Sequence, residues 1–313
     1  MTTARRQHIC LTETSYYHCF SRCVRRAFLC GVDALSGKSN EHRRGWVERQ
    51  ILAQSQAFCV DVAGYAIMSN HYHVVVKVNL DLAASLSAEA IVARWQQLYR
   101  LNPLMERFKA GNVLTDAEKE NVDTQIARMR EVLTSISYFM GYMNQYIARK
   151  ANAEDECTGR FWEGRFQSQA LLDEIALLQC MVYVELNPVR AGLSRNPRQS
   201  EYTSIKRRLA GTGSDLLPFK PDKPGSPKDH HYHLPVHFDD YLELLDWSGQ
   251  IVMEDKHGAI PADTPPLIDR LNITPGFWQI AMRLPAHGHQ KALGSEKHKK
   301  KYCRAIGQHW VWR

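Results

Sequence analysis

The pattern of hydrophobic and polar positions near the start of the chain predicts a strand, a helix and a hairpin. Residues 15–23 are rich in aromatic side chains, as strands are, and residues 46–58 have apolar positions at helical spacing. Two further apolar segments, residues 59–68 and 71–78, are separated by the turn-prone pair Ser69-Asn70. These two segments are predicted to pair as a β-hairpin.

The pattern after the hairpin alternates between helices and one more strand. Residues 83–99 and 132–151 have helical apolar spacing, and residues 159–169 alternate around two glycines as a turn and a strand do. Residues 173–185 form an amphipathic pattern that begins at Asp173, a favourable N-cap residue. The order of these elements predicts an α+β fold, in which an antiparallel sheet carries helices on one or both faces.

Composition changes along the chain suggest a domain boundary. Residues 1–211 hold the predicted sheet and its helices, with a polar excursion at about residues 101–130 that has room for one helix. Residues 212–230 are rich in Pro, Lys and Gly and are interpreted as a linker. Residues 231–313 are predicted to be a smaller, mostly helical C-terminal region with a basic, aromatic tail.

The overall composition narrows the class of protein. With 44% hydrophobic and 23% charged residues, the chain of 313 residues does not resemble a disordered or fibrous protein. No apolar run approaches the roughly 20 residues that cross a bilayer, and we see no secretory signal, so we expect a cytoplasmic protein without a membrane partner. The eight cysteines contain no CxxC pair, which favours reduced thiols over disulfides or a zinc site.

The net charge of +7 lies mainly near the two ends of the chain. Residues 283–313 hold eight basic residues and one acidic residue, and residues 1–60 hold nine basic and four acidic residues. Basic clusters favour polyanionic partners, because each Lys or Arg that neutralises a phosphate releases a condensed counterion. The distribution therefore indicates a nucleic-acid partner, although a solvated surface that aids solubility has the same composition.

Two histidines, His71 and His73, flank Tyr72 at the start of the second hairpin strand. Because alternate residues of a strand point to the same face, the two imidazoles could bind one divalent cation. A pair of structural histidines is the alternative, since this short pattern also arises by chance. The triplet at residues 231–233 repeats the pattern but follows the Pro-rich linker, and it is interpreted as a loop.

Tyr183 and Asn187 lie four residues apart at the end of a predicted helix, so they share one helix face. A phenol beside a bound cation could attack a phosphodiester and hold the cleaved strand covalently. The side-chain carbonyl of Asn187 could complete a cation site that contains two histidines. Without the histidine pair, Tyr183 would be interpreted as a half-buried helical tyrosine.

Three motifs occur in a compatible order, and together they resemble the single-tyrosine HUH transposases. They are the strand HYHVVV at residues 71–76, the turn GRFWEGRF at residues 159–166 and the helix end YVELNPVRAGL at residues 183–193. Within that superfamily the chain is most similar to the bacterial transposases associated with repetitive extragenic palindromes (REP). The resemblance covers about residues 10–210 and implies a ferredoxin-like HUH core, half as long as this chain in many relatives.

The resemblance also implies an activity, a transposase that cleaves and rejoins single-stranded DNA at hairpin-marked palindromic sites. Tyr183 corresponds to the nucleophile, which forms a 5′-phosphotyrosine bond and leaves a free 3′-hydroxyl. His71 and His73 correspond to the metal-binding pair, and Asn187 to a third, polar metal ligand, with Mg²⁺ or Mn²⁺ as the expected cofactor. The expected partner is single-stranded or hairpin DNA in a bacterial nucleoid, bound by a homodimer or by a monomer.

Three groups of basic and aromatic side chains are candidate DNA contacts. One group lies in the GRFWEGRF turn, one follows the first predicted strand and one belongs to the basic tail. Guanidinium and ammonium groups there could bind phosphates, and an indole could stack on an unpaired base. A structural turn and solvated faces are the alternative interpretations. The candidates are Arg160, Trp162 and Arg165, then Arg22, Arg25 and Arg26, and finally Lys299, Lys300 and Lys301.

Two other functions and two other candidate nucleophiles are compatible with parts of the same pattern. A domesticated transposase that binds hairpins without cutting would use the same surface, but the intact His71, His73 and Tyr183 argue against it. A metal-dependent hydrolase unrelated to DNA would leave the basic ends unexplained. Tyr142 and Tyr146, in the predicted helix before the turn, are the alternative nucleophiles, although tyrosines at helical spacing more often pack in a core.

Overall fold

The computed structural model of the chain describes residues 9–24, 29–32, 37–221, 232–254, 264–283 and 290–308. These residues form an α+β architecture, as the sequence predicts, with a five-stranded sheet. Across the sheet the strand order is β2-β3-β1-β4-β5, and neighbours are antiparallel except for the parallel pair β4 and β5. The strands are β1 (Tyr16–Arg22), β2 (Val60–Ile67), β3 (His71–Val78), β4 (Gln167–Leu171) and β5 (Ala292–Leu293).

Thirteen α-helices accompany the sheet within the described residues. Six of them precede β4, namely α1 (His42–Ala57), α2 (Leu80–Ser85), α3 (Ala88–Gln96), α4 (Pro103–Lys109), α5 (Asp116–Leu133) and α6 (Ile136–Glu154). Three follow β4 closely, namely α7 (Glu174–Glu185), α8 (Asn187–Arg190) and α9 (Ser204–Leu209). The last four are α10 (Phe238–Glu254), α11 (Pro266–Arg270), α12 (Pro275–Arg283) and α13 (Glu296–Ala305).

The predicted hairpin is confirmed as β2 and β3. The amide of Met68 donates to the carbonyl of His71 at 2.8 Å and closes the turn between the two strands. A bulge between Val62 and Gly64 shifts the register of β2. A Cβ at Gly64 would lie 3.3 Å from the hydroxyl of Ser204 in α9, so the absence of a side chain permits this close approach.

Alternation along β3 gives the sheet two faces with different coverings. Tyr72 and Val74 point into a core to which α1 and α6 contribute. Val75, two positions from His73, points into a second core that is built mainly from α7 and α10. Helix α7 also contacts α12, so nine of its residues are buried and it lacks the exposed polar face that an amphipathic pattern predicts.

The predicted C-terminal region packs on the same face of the sheet as α7. Tyr241 and Leu244 of α10 are fully buried and share a core with Leu178 and Val182 of α7. Of the predicted linker, residues 212–221 are described, and the amide of Leu217 donates to a carbonyl of β2 at 2.8 Å. Residues 222–230 of that linker lie outside the described residues. Segments from both sides of the predicted boundary therefore build one core.

Residues 290–308, which were expected to belong to a basic tail, instead form β5 and α13. The amide of Ala170 in β4 donates to the carbonyl of Lys291 at 2.9 Å, and that of Leu172 donates to Leu293 at 2.9 Å. The ring of Tyr302 is 1% exposed in the core that also contains Tyr17. These backbone bonds and this buried ring attach the segment to the sheet, while residues 309–313 lie outside the described residues.

Local caps explain where the predicted helices differ from the observed ones. The predicted helix at residues 83–99 divides into α2 and α3, because the side chain of Ser87 caps α3. The excursion at residues 101–130 contains two helices rather than one, and Thr115 and Glu118 form a capping box at the start of the second, α5. No helix in the described part of the chain is long and apolar enough to span a bilayer.

Candidate active site

The two histidines of the HYHVVV strand lie on the face of the sheet that α7 covers. In the register between β1 and β3, His73 is opposite Phe20 and His71 is opposite Arg22. The rings of His71 and His73 are 4.9 Å apart between centroids and nearly perpendicular, at 89°. His73 is fully buried, whereas His71 is partly exposed. The strand therefore presents both imidazoles side by side, as alternation predicts.

Helix α7 brings Tyr183 to this histidine pair. The carboxylate of Asp173 accepts the amide of Ala176 at 2.9 Å and fixes the start of the helix beside the end of β4. Three turns later the ring of Tyr183 lies 6.2 Å from that of His73 between centroids, at an interplanar angle of 90°. Tyr183 is 6% exposed. The phenol ring and the imidazole ring are thus neighbours although they are far apart in sequence.

Asn187 and Arg190 follow Tyr183 in α8 and both face it. The Nδ2 of Asn187 donates to the carbonyl of Tyr183 at 3.2 Å, which leaves its Oδ1 as the atom with cation-ligand chemistry. The guanidinium of Arg190 lies over the Tyr183 ring at 5.3 Å from its centroid. Arg190 belongs to the YVELNPVRAGL motif but was not predicted from the sequence as a site residue. A positive charge therefore stands beside the phenol.

A third histidine, the fully buried His18 on β1, also belongs to this cluster. Its Nε2 lies 2.9 Å from Nδ1 of His73, and the two rings stack at 5.1 Å with an angle of 25°. His71 makes an analogous contact, since its Nδ1 lies 2.6 Å from Oδ1 of Asn70. His18 was not predicted from the sequence. Its signal was the position two residues before Phe20 in the predicted first strand, which places it on the histidine face once β1 pairs with β3.

The donor set here can be compared with what divalent cations prefer. In the described part of the chain, no group of three or more His, Cys, Asp or Glu side chains is arranged to hold a metal ion. Two imidazoles and one amide carbonyl, from His71, His73 and Asn187, are a different kind of set. Imidazole is a common ligand of transition metals, whereas Mg²⁺ prefers oxygen atoms. This chemistry fits Mn²⁺ better than Mg²⁺.

The alternative nucleophiles lie on the other side of the sheet. Tyr142 and Tyr146 belong to α6, whose residue Asn144 accepts a hydrogen bond from the Tyr72 hydroxyl at 2.7 Å. Tyr72 points away from the histidine face, so α6 and its tyrosines are separated from His73 by the sheet. Tyr146 is 39% exposed, and Tyr142 packs edge-to-face against Phe58. Of the three candidate tyrosines, Tyr183 alone lies beside the histidines.

In the GRFWEGRF turn the structure separates the aromatic candidate from the basic ones. Trp162 is 8% exposed, its Nε1 donates to the carbonyl of Asn144 at 2.8 Å, and its ring packs on Tyr72. Its indole therefore packs in the core, which favours the interpretation of a structural turn over stacking on a base. Arg160 and Arg165 are exposed and stay available for phosphates.

The other predicted DNA contacts are only partly described. Arg22 is exposed and ends β1 directly opposite His71, whereas Arg25 and Arg26 lie outside the described residues. In α13, Lys299 pairs with Glu296 at 3.3 Å and Lys301 pairs with Glu13 at 3.0 Å, while Lys300 is exposed. Of the described residues in these two groups, Arg22 alone lies directly opposite a histidine of the pair, because β1 pairs with β3.

Comparisons with known proteins give two partial similarities. No protein-family model matches the chain. An inositol-tetrakisphosphate 1-kinase 5 of Oryza sativa subsp. japonica is 36% identical over 90 residues, which are 28% of this chain, and the match spans 25% of the length of that curated relative. A solved structure described as a REP-associated tyrosine transposase bound to a REP hairpin has a TM-score of 0.40 and 12% identity, covering 76% of this chain and 99% of that chain. These similarities do not assign a family to the chain.

Proposed function

We propose that the protein is a metal-dependent transposase of the single-tyrosine HUH type, which cleaves and rejoins single-stranded DNA at hairpin sites. The observation that carries this proposal is the 6.2 Å separation between the rings of His73 and Tyr183. A histidine pair on a central strand and a tyrosine on a covering helix supply a cation site and a nucleophile at one place. The three motifs that resemble this superfamily support the same assignment.

In the proposed reaction Tyr183 is the nucleophile. Its Oη attacks the phosphorus of a phosphodiester, a new bond joins Oη to phosphorus, and the bond from phosphorus to the 3′ oxygen breaks. The phenol loses its proton, and the 3′ oxygen leaves as a hydroxyl after gaining one. Rejoining reverses these steps, with a 3′-hydroxyl as the attacking group. The covalent 5′-phosphotyrosine thus conserves the bond energy that rejoining needs.

The chain's other residues hold and orient the reacting groups. His71 and His73, with Asn187 as the third ligand, would hold the cation, whose chemistry when bound is to polarise the scissile phosphate. Arg190, over the Tyr183 ring, stabilises negative charge that develops on the phenol oxygen or on the phosphate. Arg22 at the exposed end of β1 is suited to contact the DNA backbone beside His71.

The experiment that tests the proposal is a covalent trapping assay. Purified protein is mixed with end-labelled single-stranded hairpin oligonucleotides from its own flanking DNA, in Mn²⁺ or Mg²⁺, and resolved on a denaturing gel. We expect a protein-linked DNA band that EDTA and Tyr183→Phe both abolish. The matched control Tyr146→Phe alters an exposed tyrosine on α6 and should leave the band intact. A band that survives Tyr183→Phe would contradict the assignment of the nucleophile.

A second candidate function is a hairpin-binding regulator that does not cut DNA. The observation in its favour is burial, since Tyr183 is 6% exposed and His73 is fully buried. This burial limits the access of a DNA strand to the phenol. Under this candidate, the oligonucleotides bind in a gel-shift assay, and no covalent band forms at any metal concentration.

A further inference from the structure

Three imidazoles lie in a row on one face of the sheet, in the order His18, His73 and His71. Neighbouring ring centroids are 5.1 Å apart for His18 and His73, and 4.9 Å apart for His73 and His71. His18 and His73 are both fully buried. His18 plays no part in the proposed reaction, so its buried contact with His73 needs a separate physical explanation.

The contact between His18 and His73 restricts how protons are placed on both rings. A neutral imidazole has one nitrogen that donates and one that accepts. Nε2 of His18 and Nδ1 of His73 are 2.9 Å apart, so one of these two nitrogens carries the shared proton. If Nδ1 of His73 donates, its Nε2 keeps a lone pair for a cation. If His18 donates instead, Nε2 of His73 carries a proton and has no lone pair with which to bind a cation.

The neighbouring ligand shows which arrangement suits a cation site. Nδ1 of His71 lies 2.6 Å from Oδ1 of Asn70, and a carbonyl oxygen only accepts, so Nδ1 of His71 is the donor. Its Nε2 therefore holds the lone pair. Metal-binding histidines commonly donate their second ring N–H to an acceptor, which fixes both the tautomer and the ring orientation. His71 already follows this pattern through Asn70.

We propose that His18 is a positioning residue for His73. His18 accepts the hydrogen bond from Nδ1 of His73 at its own Nε2, so that His73 presents the lone pair of Nε2 to the cation. This inference rests on the proposed function, because it assumes that His71 and His73 bind a metal ion. His18 does not touch the DNA or the cation; it acts through the ring of His73.

The surroundings of His18 hold its ring in the orientation that this role needs. Its ring also stacks on Phe20 at 5.5 Å with an angle of 30°. In the sheet, His18 lies between Val75 on β3 and Gln169 on β4. Gln169 is 3% exposed and donates to the carbonyl of Gln290 at 2.9 Å, which ties this position to the start of β5. A ring enclosed on both sides in this way keeps its acceptor nitrogen directed at His73.

Mn²⁺ affinity, measured by titration calorimetry on the full chain, tests the inference without relying on catalysis. His18→Leu removes the acceptor, and we expect the affinity to fall about 10- to 100-fold. His18→Gln can place a carbonyl oxygen near the former Nε2, and its affinity should stay within a few-fold of the wild type. The matched control Tyr16→Phe alters the neighbouring residue on the same face of β1, keeps His18 and its stacking partner, and should bind Mn²⁺ like the wild type. Wild-type affinity in a folded His18→Leu protein would overturn the inference.

A second measurement decides the matter if His18→Leu fails to fold. Long-range ¹H–¹⁵N correlation spectra of the metal-free wild-type protein report the tautomer of each histidine. We expect His73 to carry its proton on Nδ1, and a proton on Nε2 would overturn the inference. Failure of the proposed function is distinguishable, because wild-type Mn²⁺ binding that survives His71→Ala and His73→Ala would disprove the metal site even if His18 sets the tautomer.

Discussion

Glu185 is a carboxyl group buried two residues after the proposed nucleophile. Its two oxygens accept hydrogen bonds from Ser204 at 2.6 Å and from Tyr241 at 2.5 Å, and the guanidinium of Arg208 lies close enough to favour its charge. Burial is the largest influence and raises the pKa of Glu185 above its usual value of 4.5. This carboxyl joins α7, α9 and α10 at a single point next to Tyr183.

The raised pKa of Glu185 predicts a pH dependence of stability. Because the folded protein holds this proton more tightly than the unfolded chain, the contribution is complete below about pH 4.5 and is lost as pH rises through the folded pKa. Glu185→Gln should remove this loss, which has a slope of at most about 1.4 kcal/mol per pH unit. Urea unfolding of both proteins from acid to neutral pH measures the difference. Parallel curves for the two proteins would contradict the prediction.

Asp173 connects two elements, because its carboxylate caps α7 and also contacts the start of α13. Oδ1 accepts the amide of Ala176 at 2.9 Å, and Oδ2 accepts the amide of Ser295 at 2.7 Å. His298 lies 3.2 Å from the same Oδ2. One side chain therefore fixes the helix that bears Tyr183 and the helix that follows β5.

Asp173→Ala should lower the free energy of unfolding by about 1 to 2 kcal/mol, as the loss of an N-cap does. It should also speed hydrogen exchange of the amides in α13, since their anchor to β4 and α7 weakens. Asn102→Ala, which removes the cap of α4 in the excursion, is the matched control and should leave exchange in α13 unchanged. Unchanged exchange in the Asp173→Ala protein would show that Asp173 does not anchor α13.

At the level of helices and strands, the sequence predicts the hairpin, α7 and a mostly helical C-terminal region, but not the segment that forms β5 and α13. The hairpin and α7 are confirmed because their signals are local, namely alternating apolar residues in β3 and the Asp173 cap before a helical run. Helix α13 was missed since its residues are mostly charged, and it is fixed by the distant partners Tyr17 and Asp173. Non-local contacts of this kind leave no periodic signal in the sequence.

The residues of the candidate site also differ in how far they could be predicted from local sequence patterns. His71, His73 and Tyr183 were identified because strand and helix spacing, with the motifs around them, are visible in the sequence. His18 was missed because its place beside His73 depends on the register between β1 and β3. The burial of Trp162 depends on a carbonyl of α6, so its position in the core was equally invisible.

Under the proposed function, the exposed cations in the described part of the molecule determine how strongly it binds DNA. Arg160 and Arg165 are exposed in the turn before β4. Replacing both by Ala should weaken hairpin binding and reduce the dependence of log affinity on log salt by about one for each lost phosphate contact. Fluorescence anisotropy over a series of salt concentrations measures this slope.

Arg128→Ala is the matched control for this measurement. Arg128 is also an exposed arginine, but it pairs with Glu131 on α5, in the excursion. Its replacement should leave both the affinity and the salt dependence as they are in the wild type. Equal slopes for the double variant and the wild type would exclude the turn from the DNA-binding surface.

In the proposed reaction Tyr183 becomes covalently attached to DNA, and peptide mapping of the trapped adduct identifies the attached residue. Tryptic cleavage after Arg165 and Arg190 releases residues 166–190, in which Tyr183 is the only tyrosine. Residues 131–149 form a separate tryptic peptide that contains Tyr142 and Tyr146. After nuclease digestion of the adduct, we predict a nucleotide mass on Tyr183 in the first peptide. A nucleotide on the second peptide, or on neither peptide, would contradict the assignment of Tyr183 as the nucleophile.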